Sequence, residues 1–346
     1  MTETVTTLSA LIRGRRSRAT RWRGIVTGLL AVLLAGIALT LMLGQSFTPP
    51  DVVARVLMGE QVPGAAFAVG QLRLPRAVVS VLAGLSFGLG GVAFQIMLRN
   101  PLASPDIIGV SAGSSAAAIF GIVFLSLDGA SLFGLSIASG LAVALLIYGL
   151  SFKGGVAGSR LILVGIGISA MINSFIAYSL ARAPSWDLQE AMRWLSGSVN
   201  GARLEQAGPM ILSLIVFGGL VLTRSRALEA LRMGEDMAAA LGVSVGATRL
   251  SVMIGAVGMI AVATATTGPI AFVAFLSGPI AARIVGPNGS LLMPAALIGA
   301  GLVLLGDYAG QFLLPGRYPV GVVTGALGAP FLIYLIIRAN RTGSAL

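Results

Sequence analysis

Chemistry at a protein site needs nucleophiles, groups that titrate near neutrality, or metal ligands, and this sequence carries few of them. It has no cysteine and no histidine. Disulfides, thiolate nucleophiles, imidazole proton relays and most zinc sites are excluded together. Bare transition-metal ions would find few of their usual imidazole and thiolate ligands, so any metal cargo is expected to travel inside a chelator. The single lysine stands in Phe152-Lys153-Gly154-Gly155. A phosphate-binding loop places its lysine after a longer glycine-rich turn, so no ATPase motif is present. No catalytic residue, metal or cofactor is expected. A membrane-embedded enzyme, which needs a convergent nucleophile, base or metal set, is disfavoured.

Four features remain. Asp307 lies well inside a late apolar stretch. Intramembrane acids are functional by default, which suggests a proton or sodium site. With no second buried ionisable residue near it in sequence, a helix-packing hydrogen bond is the favoured reading. Leu72-Arg73-Leu74-Pro75-Arg76 precedes another apolar stretch; exposed guanidinium groups there would suit carboxylates of a soluble partner. Arg99-Asn100-Pro101-Leu102-Ala103-Ser104-Pro105-Asp106 reads as a fixed turn, with Ser104 and Asp106 as helix caps. Finally, the stretch 224–249 reads as one or two short amphipathic helices. Met237, Ala240 and Leu241 share a face, and Glu235 and Asp236 sit near a helix start. It is either a helix lying on the membrane or a rigid knob for a partner.

The elements that must position these residues follow from composition. Hydrophobic residues make up 56% of the 346 and charged residues only 10%, where a soluble domain carries about 25%. Mean hydropathy is +0.94. The 47 glycines suit close helix approach in lipid. The chain is therefore expected to be an all-α membrane protein of about ten transmembrane helices, at 24–44, 77–98, 107–127, 131–151, 161–181, 207–223, 250–270, 271–286, 291–313 and 319–338. The first is long enough to span and is read as a retained helix and not a cleaved signal. Ten spans with cytoplasmic termini place sixteen basic residues inside and seven outside, as the positive-inside rule requires. That accounts for the net charge of +11 without nucleic acid. Residues 1–23 are expected to form a cytoplasmic basic segment. Residues 24–346 form a single membrane domain whose longest inside loop is 224–249.

Leu-Arg-Leu-Pro-Arg at 72–76, Gln95, Arg-Asn-Pro-Leu-Ala-Ser-Pro at 99–105 and the Gly234-Glu235…Leu241-Gly242 loop are one set of landmarks. Trp194-Leu195-Ser196-Gly197-Ser198, Gly268-Pro269-Ile270-Ala271-Phe272, Pro319-Val320-Gly321-Val322-Val323-Thr324 and Gly328-Ala329-Pro330-Phe331 are another. In this order they resemble the iron-siderophore and vitamin B12 family of importer permeases, most of all the ferric-enterobactin type. The resemblance implies the type II ABC importer permease fold in a bacterial cytoplasmic membrane. It implies a second permease subunit (a different sibling favoured over a second copy), two cytoplasmic ATPase subunits and an extracytoplasmic substrate-binding protein. It places binding-protein docking at Arg73 and Arg76. ATPase coupling falls on the 227–242 loop, with Gly234, Glu235, Asp236, Ala239, Leu241 and Gly242. The fifth span lines the translocation path, with Ser169, Asn173 and Ser174 as lining candidates.

The sequence departs from that pattern in three places. Gly278-Pro279 stands where many relatives have Pro-His, so no histidine role carries over. Gln311 stands where many have an arginine after the late aspartate, and Arg317 precedes Pro319-Val320-Gly321 where many have an acid. Arg317 is therefore expected to restore the external positive charge missing at Gln311. A ferric siderophore, with a tilt toward the catecholate type, is the expected cargo. Haem and cobalamin are alternatives. An ion-coupled secondary transporter would need paired intramembrane ionisable residues and is less favoured.

Overall fold

A computed structural model describes residues 2–151 and 158–342; Lys153 falls outside them. The described chain is helical from end to end. Its α-helices are α1 (Thr2–Met42), α2 (Pro50–Leu57), α3 (Leu74–Leu98), α4 (Val110–Leu125) and α5 (Gly129–Ser151). Then come α6 (Gly158–Arg182), α7 (Ser185–Leu195), α8 (Ala207–Ser213), α9 (Gly219–Thr223), α10 (Ser225–Leu231) and α11 (Glu235–Ala240). The last four are α12 (Val245–Thr267), α13 (Val273–Val285), α14 (Leu292–Phe312) and α15 (Val320–Thr342). Each of the ten expected spans falls on helix. The sixth is α8 and α9 joined through a π-helical stretch at Leu214–Gly218.

Three spans depart from expectation, among them α4, which has 16 residues where 107–127 is expected. α1 continues unbroken from Thr2 through residue 23 into the membrane stretch. α13 has 13 residues, about 20 Å at about 1.5 Å each, too short for a hydrocarbon layer of about 30 Å. It starts late because the chain reverses at Gly268 and Phe272, both with positive φ (70° and 64°). So short a helix survives because neighbouring protein surrounds it: residues Val273 to Pro279 are all buried.

The spans sort into a centre and a periphery. The apolar windows of Ala66–Leu98, Val245–Thr267 and Leu292–Phe312 are 78%, 72% and 67% buried, whereas those of α1, α5, α6 and Leu204–Thr223 are 17–28% buried. Lipid gives helices no hydrophobic drive toward one another, so the centre is built on close backbone approach. A side chain on Gly84 would overlap the Gly299 carbonyl on α14, and one on Gly91 would overlap the Ala274 carbonyl on α13.

Gln95 shows why this centre tolerates a proline. Pro279 inside α13 has no N–H, which leaves the Phe275 carbonyl one turn back without its helical donor. The Gln95 side chain of α3 donates Nε2–H to that carbonyl at 3.0 Å. Gly278 makes room for it, because a Cβ there would strike the Gln95 amide.

Candidate functional site

At one end of the central helices lies a cavity of about 440 Å³. Arg73, Arg76 and Arg317, the three docking candidates, all line it, together with Asn200, Asp307 and Gln311. The structure thus brings together residues from the start of α3, the loop after α7, α14 and the α14–α15 loop. Their guanidinium groups are in three different states.

Arg73 is turned back into its own chain. It donates to the carbonyls of Leu41 (2.9 Å), Met42 (3.1 Å) and Ser46 (2.8 Å) and to Thr48 Oγ1 (3.1 Å). Leu41 and Met42 end α1, where a cation meets the negative end of the helix dipole, and Ser46 and Thr48 belong to the loop that follows. Arg76 forms a two-point pair with Asp307, Nε to Oδ2 at 2.6 Å and Nη2 to Oδ1 at 2.7 Å, and donates from Nη1 to Asn200 Oδ1 at 3.0 Å. Gln311 Nε2 donates to Asp307 Oδ2 at 2.9 Å. Arg317 is exposed and enters none of the ion pairs among the described residues.

The expectation that Asp307 lacks an ionisable neighbour is corrected here. Its partner is Arg76, 231 residues away in sequence and invisible to any local pattern. Both Asp307 oxygens are thereby engaged within the protein, by Arg76 and Gln311, as the helix-packing reading expects.

Next to the cavity, three of the sequence landmarks meet backbone to backbone. Ser198 N–H donates to the Thr267 carbonyl at 2.7 Å, and Gly321 N–H donates to the Gly197 carbonyl at 3.0 Å. Gly197, Gly268 and Gly321 each sit where a Cβ would overlap a carbonyl oxygen of another landmark, of Pro269, Trp194 and Ser196 respectively. These motifs close one junction between the loop after α7, the α12–α13 turn and the start of α15.

At the opposite end of α12 stands the second candidate element. Gly234 (φ 115°) and Gly242 (φ 81°) bracket α11; their freedom at positive φ lets a six-residue helix stand between two sharp turns. Leu228, Leu231 and Ala238 bury one side of the α10–α11 pair. The Glu235 carboxylate pairs with Arg249 of α12, fastening the helix to a central span. Met233, Met237 and Leu241, spaced by four, are 53–61% exposed and form an apolar stripe, with Asp236 and Ala239 also exposed. Of the six coupling candidates, Glu235 is thus committed to an ion pair within the chain, although its side chain stays 48% exposed. Met233, in the turn between α10 and α11, is an exposed apolar residue beyond the expected face of Met237, Ala240 and Leu241.

The lining candidates separate. Asn173 and Ser174 lie on the exposed face of α6, although the Ser174 hydroxyl donates to the Ala170 carbonyl at 3.0 Å. Ser169 points the other way. Its buried Oγ has no hydrogen-bond partner and lies against the backbone of Gly109. The turn before α4 meets half of the expectation: Ser104 Oγ accepts from Asp106 N–H and caps the 3-10 turn Pro105–Ile108, but Asp106 caps no helix, since α4 follows Gly109 without a side-chain cap and Asp106 accepts from the Ser104 and Ser111 hydroxyls at 3.0 and 2.5 Å.

A glycine-packed helical core with seven helices long and apolar enough to cross a membrane among the described residues, a basic cavity at one end and an apolar knob at the other have the build of a multi-pass membrane protein. The profile of the FecCD transport family matches residues 32–338, and the chain belongs to that family. It is 37% identical to the ferric enterobactin transport system permease protein FepG of Escherichia coli (strain K12), over 92% of this chain and 98% of that one. It is also 37% identical to the achromobactin transport system permease protein CbrC of Dickeya dadantii (strain 3937), over 92% of each. Among solved structures, a metal-chelate type ABC transporter in an inward-facing conformation superposes with a TM-score of 0.82 at 26% identity, covering 91% of this chain and 99% of that one. The type II importer permease fold and the role of an ABC permease subunit follow.

Proposed function

We propose that this chain is one half of the membrane pathway of an ABC importer that moves a ferric-siderophore complex into the cytoplasm, with catecholate chelates the preferred cargo. The end-to-end similarity to the ferric enterobactin permease carries this reading. A second Escherichia coli ferric enterobactin permease, FepD, is 32% identical over 92% of the chain, which favours pairing with a different sibling. Two cytoplasmic ATPase subunits and an extracytoplasmic binding protein complete the machine. Both termini face the cytoplasm in this arrangement.

On this reading each partner meets particular residues. Arg317 offers an unpaired guanidinium at the cavity, and Arg76 keeps N–H groups beyond those engaged by Asp307 and Asn200. These two receive carboxylates of the binding protein, while Arg73 holds the corner between α1 and α3. The exposed apolar residues Met233, Met237 and Leu241, on and beside α11, seat in the ATPase. Gly234 and Gly242 shape this surface, and Asp236 and Ala239 flank it. Asn173 and Ser174 face the path.

Uptake of radiolabelled iron chelates by vesicles reconstituted with all four components tests the reading. Uptake should require ATP and an intact ATPase, with ferric catecholate outcompeting haem and cobalamin. Uptake that follows an ion gradient without the ATPase would overturn it. Within that system, Arg317→Ala should weaken binding-protein affinity about tenfold, the loss of one charge-assisted contact, and Arg73→Ala should lower stability first. Unchanged affinity in Arg317→Ala with a loss in Arg73→Ala would reverse the two roles.

A further inference from the structure

We infer that the basic segment of α1 is a collar for anionic phospholipid headgroups, fixed at the depth of the lipid phosphates. Arg13, Arg15, Arg16, Arg18, Arg21 and Arg23 are all exposed and lie on the same unbroken helix that enters the membrane. At about 1.5 Å per residue, Gly24–Met42 covers about 28 Å, close to the hydrocarbon thickness of about 30 Å. The arginines therefore begin where the headgroups begin and cover the next three turns.

Depth and rotation of this helix are set by a specific contact. The Trp22 indole N–H donates to the Ser290 carbonyl at 2.8 Å, and Gly289 leaves space for the ring, which a Cβ there would approach to 2.7 Å. Trp22 thus pins α1 to the loop between α13 and α14 at the level where indoles favour the membrane interface.

Charge and distribution then select the ligand. None of the ion pairs Arg55–Glu60, Arg76–Asp307, Arg232–Glu229 and Arg249–Glu235 includes Arg15, Arg16, Arg18, Arg21 or Arg23. At about 100° per residue the six positions spread around the whole circumference. A protein partner would read one face, whereas a headgroup layer surrounds a helix on every side that protein leaves open. Guanidinium binds phosphate oxygens in two-point fashion, which lysine cannot do. Clusters of this size beside a membrane helix attract anionic lipid strongly.

The test uses full-length permease in phosphatidylcholine bilayers with trace spin-labelled phosphatidylglycerol or phosphatidylcholine. The motionally restricted fraction gives the relative association of each lipid, whether or not the transport reading holds. Wild type should prefer phosphatidylglycerol about fivefold. The variant Arg15→Gln/Arg16→Gln/Arg18→Gln/Arg21→Gln should lose most of that preference, and the charge-matched Arg55→Gln/Arg182→Gln/Arg193→Gln/Arg203→Gln should keep it. Should the collar variant fail to fold, wild type at 1 M salt replaces it, and the preference should collapse there. A wild type without preference, a collar variant that keeps it, a charge-matched variant that loses it equally, or a preference insensitive to salt each overturns the proposal. So does a collar variant with unchanged lipid preference that no longer retains the ATPase subunits, since the collar would then serve a protein.

Discussion

A guanidinium has five N–H groups, and Arg76 gives two to Asp307 and one to Asn200. Both members of the ion pair are largely shielded, with side chains 18% and 7% exposed. Removing one leaves the other charged and unpaired. Asp307→Ala should therefore cost about 3 kcal/mol, read as a lower unfolding midpoint of the purified permease in detergent. Arg76→Ala/Asp307→Ala should recover part of that loss. A double variant as unstable as the sum of the singles would mean that the pair does not couple. Gln95 makes a smaller case. Gln95→Leu strands the Phe275 carbonyl beside Pro279 and should cost about 1 kcal/mol. Full stability in that variant would show that another donor serves this carbonyl.

At the scale of elements, α3 is the axis of the molecule. It meets α14 through Gly84, Gly88 and Gly299 and meets α13 through Gly91, so its neighbours sit backbone against backbone. Gly84→Val drives a side chain into the Ala300 backbone and should destabilise by about 1–3 kcal/mol or more. Gly134 on α5 has open space where its Cβ would be, and Gly134→Ala should leave the unfolding midpoint unchanged or raise it. Equal effects at the two positions would refute glycine packing as the basis of the core. On α11, Met237→Asp places a charge in the exposed apolar stripe and should abolish co-purification of the ATPase while sparing the unfolding midpoint, because Met237 is 53% exposed. Retained ATPase would remove the stripe from the coupling surface.

The basic cavity and the α10–α11 region lie at opposite ends of the central helices, and under the proposed function the orientation of the chain sets which partner meets which end. The absence of cysteine allows a direct check. Ser185→Cys at the start of α7 should react with an impermeant maleimide on intact cells, and Ser17→Cys in α1 only after the membrane is opened. The reverse pattern would invert the topology and with it the assignment of the cavity to the binding protein.

How much of this was legible in the sequence depends on how far apart the cooperating residues lie. In lipid each span must satisfy its own backbone hydrogen bonds, so the helices, the cap at Ser104 and the glycine-bracketed α11 are local matters. The sequence carried them, and the family motifs with them. The tertiary structure alone decided the partners. Arg76 finds Asp307 across 231 residues. Arg73 closes the end of α1, Ser169 turns away from the open face of α6, and Gly197, Gly268 and Gly321 become one junction. Gly84 and Gly134 look alike in sequence, and only packing separates them, because one faces another backbone and the other faces open space.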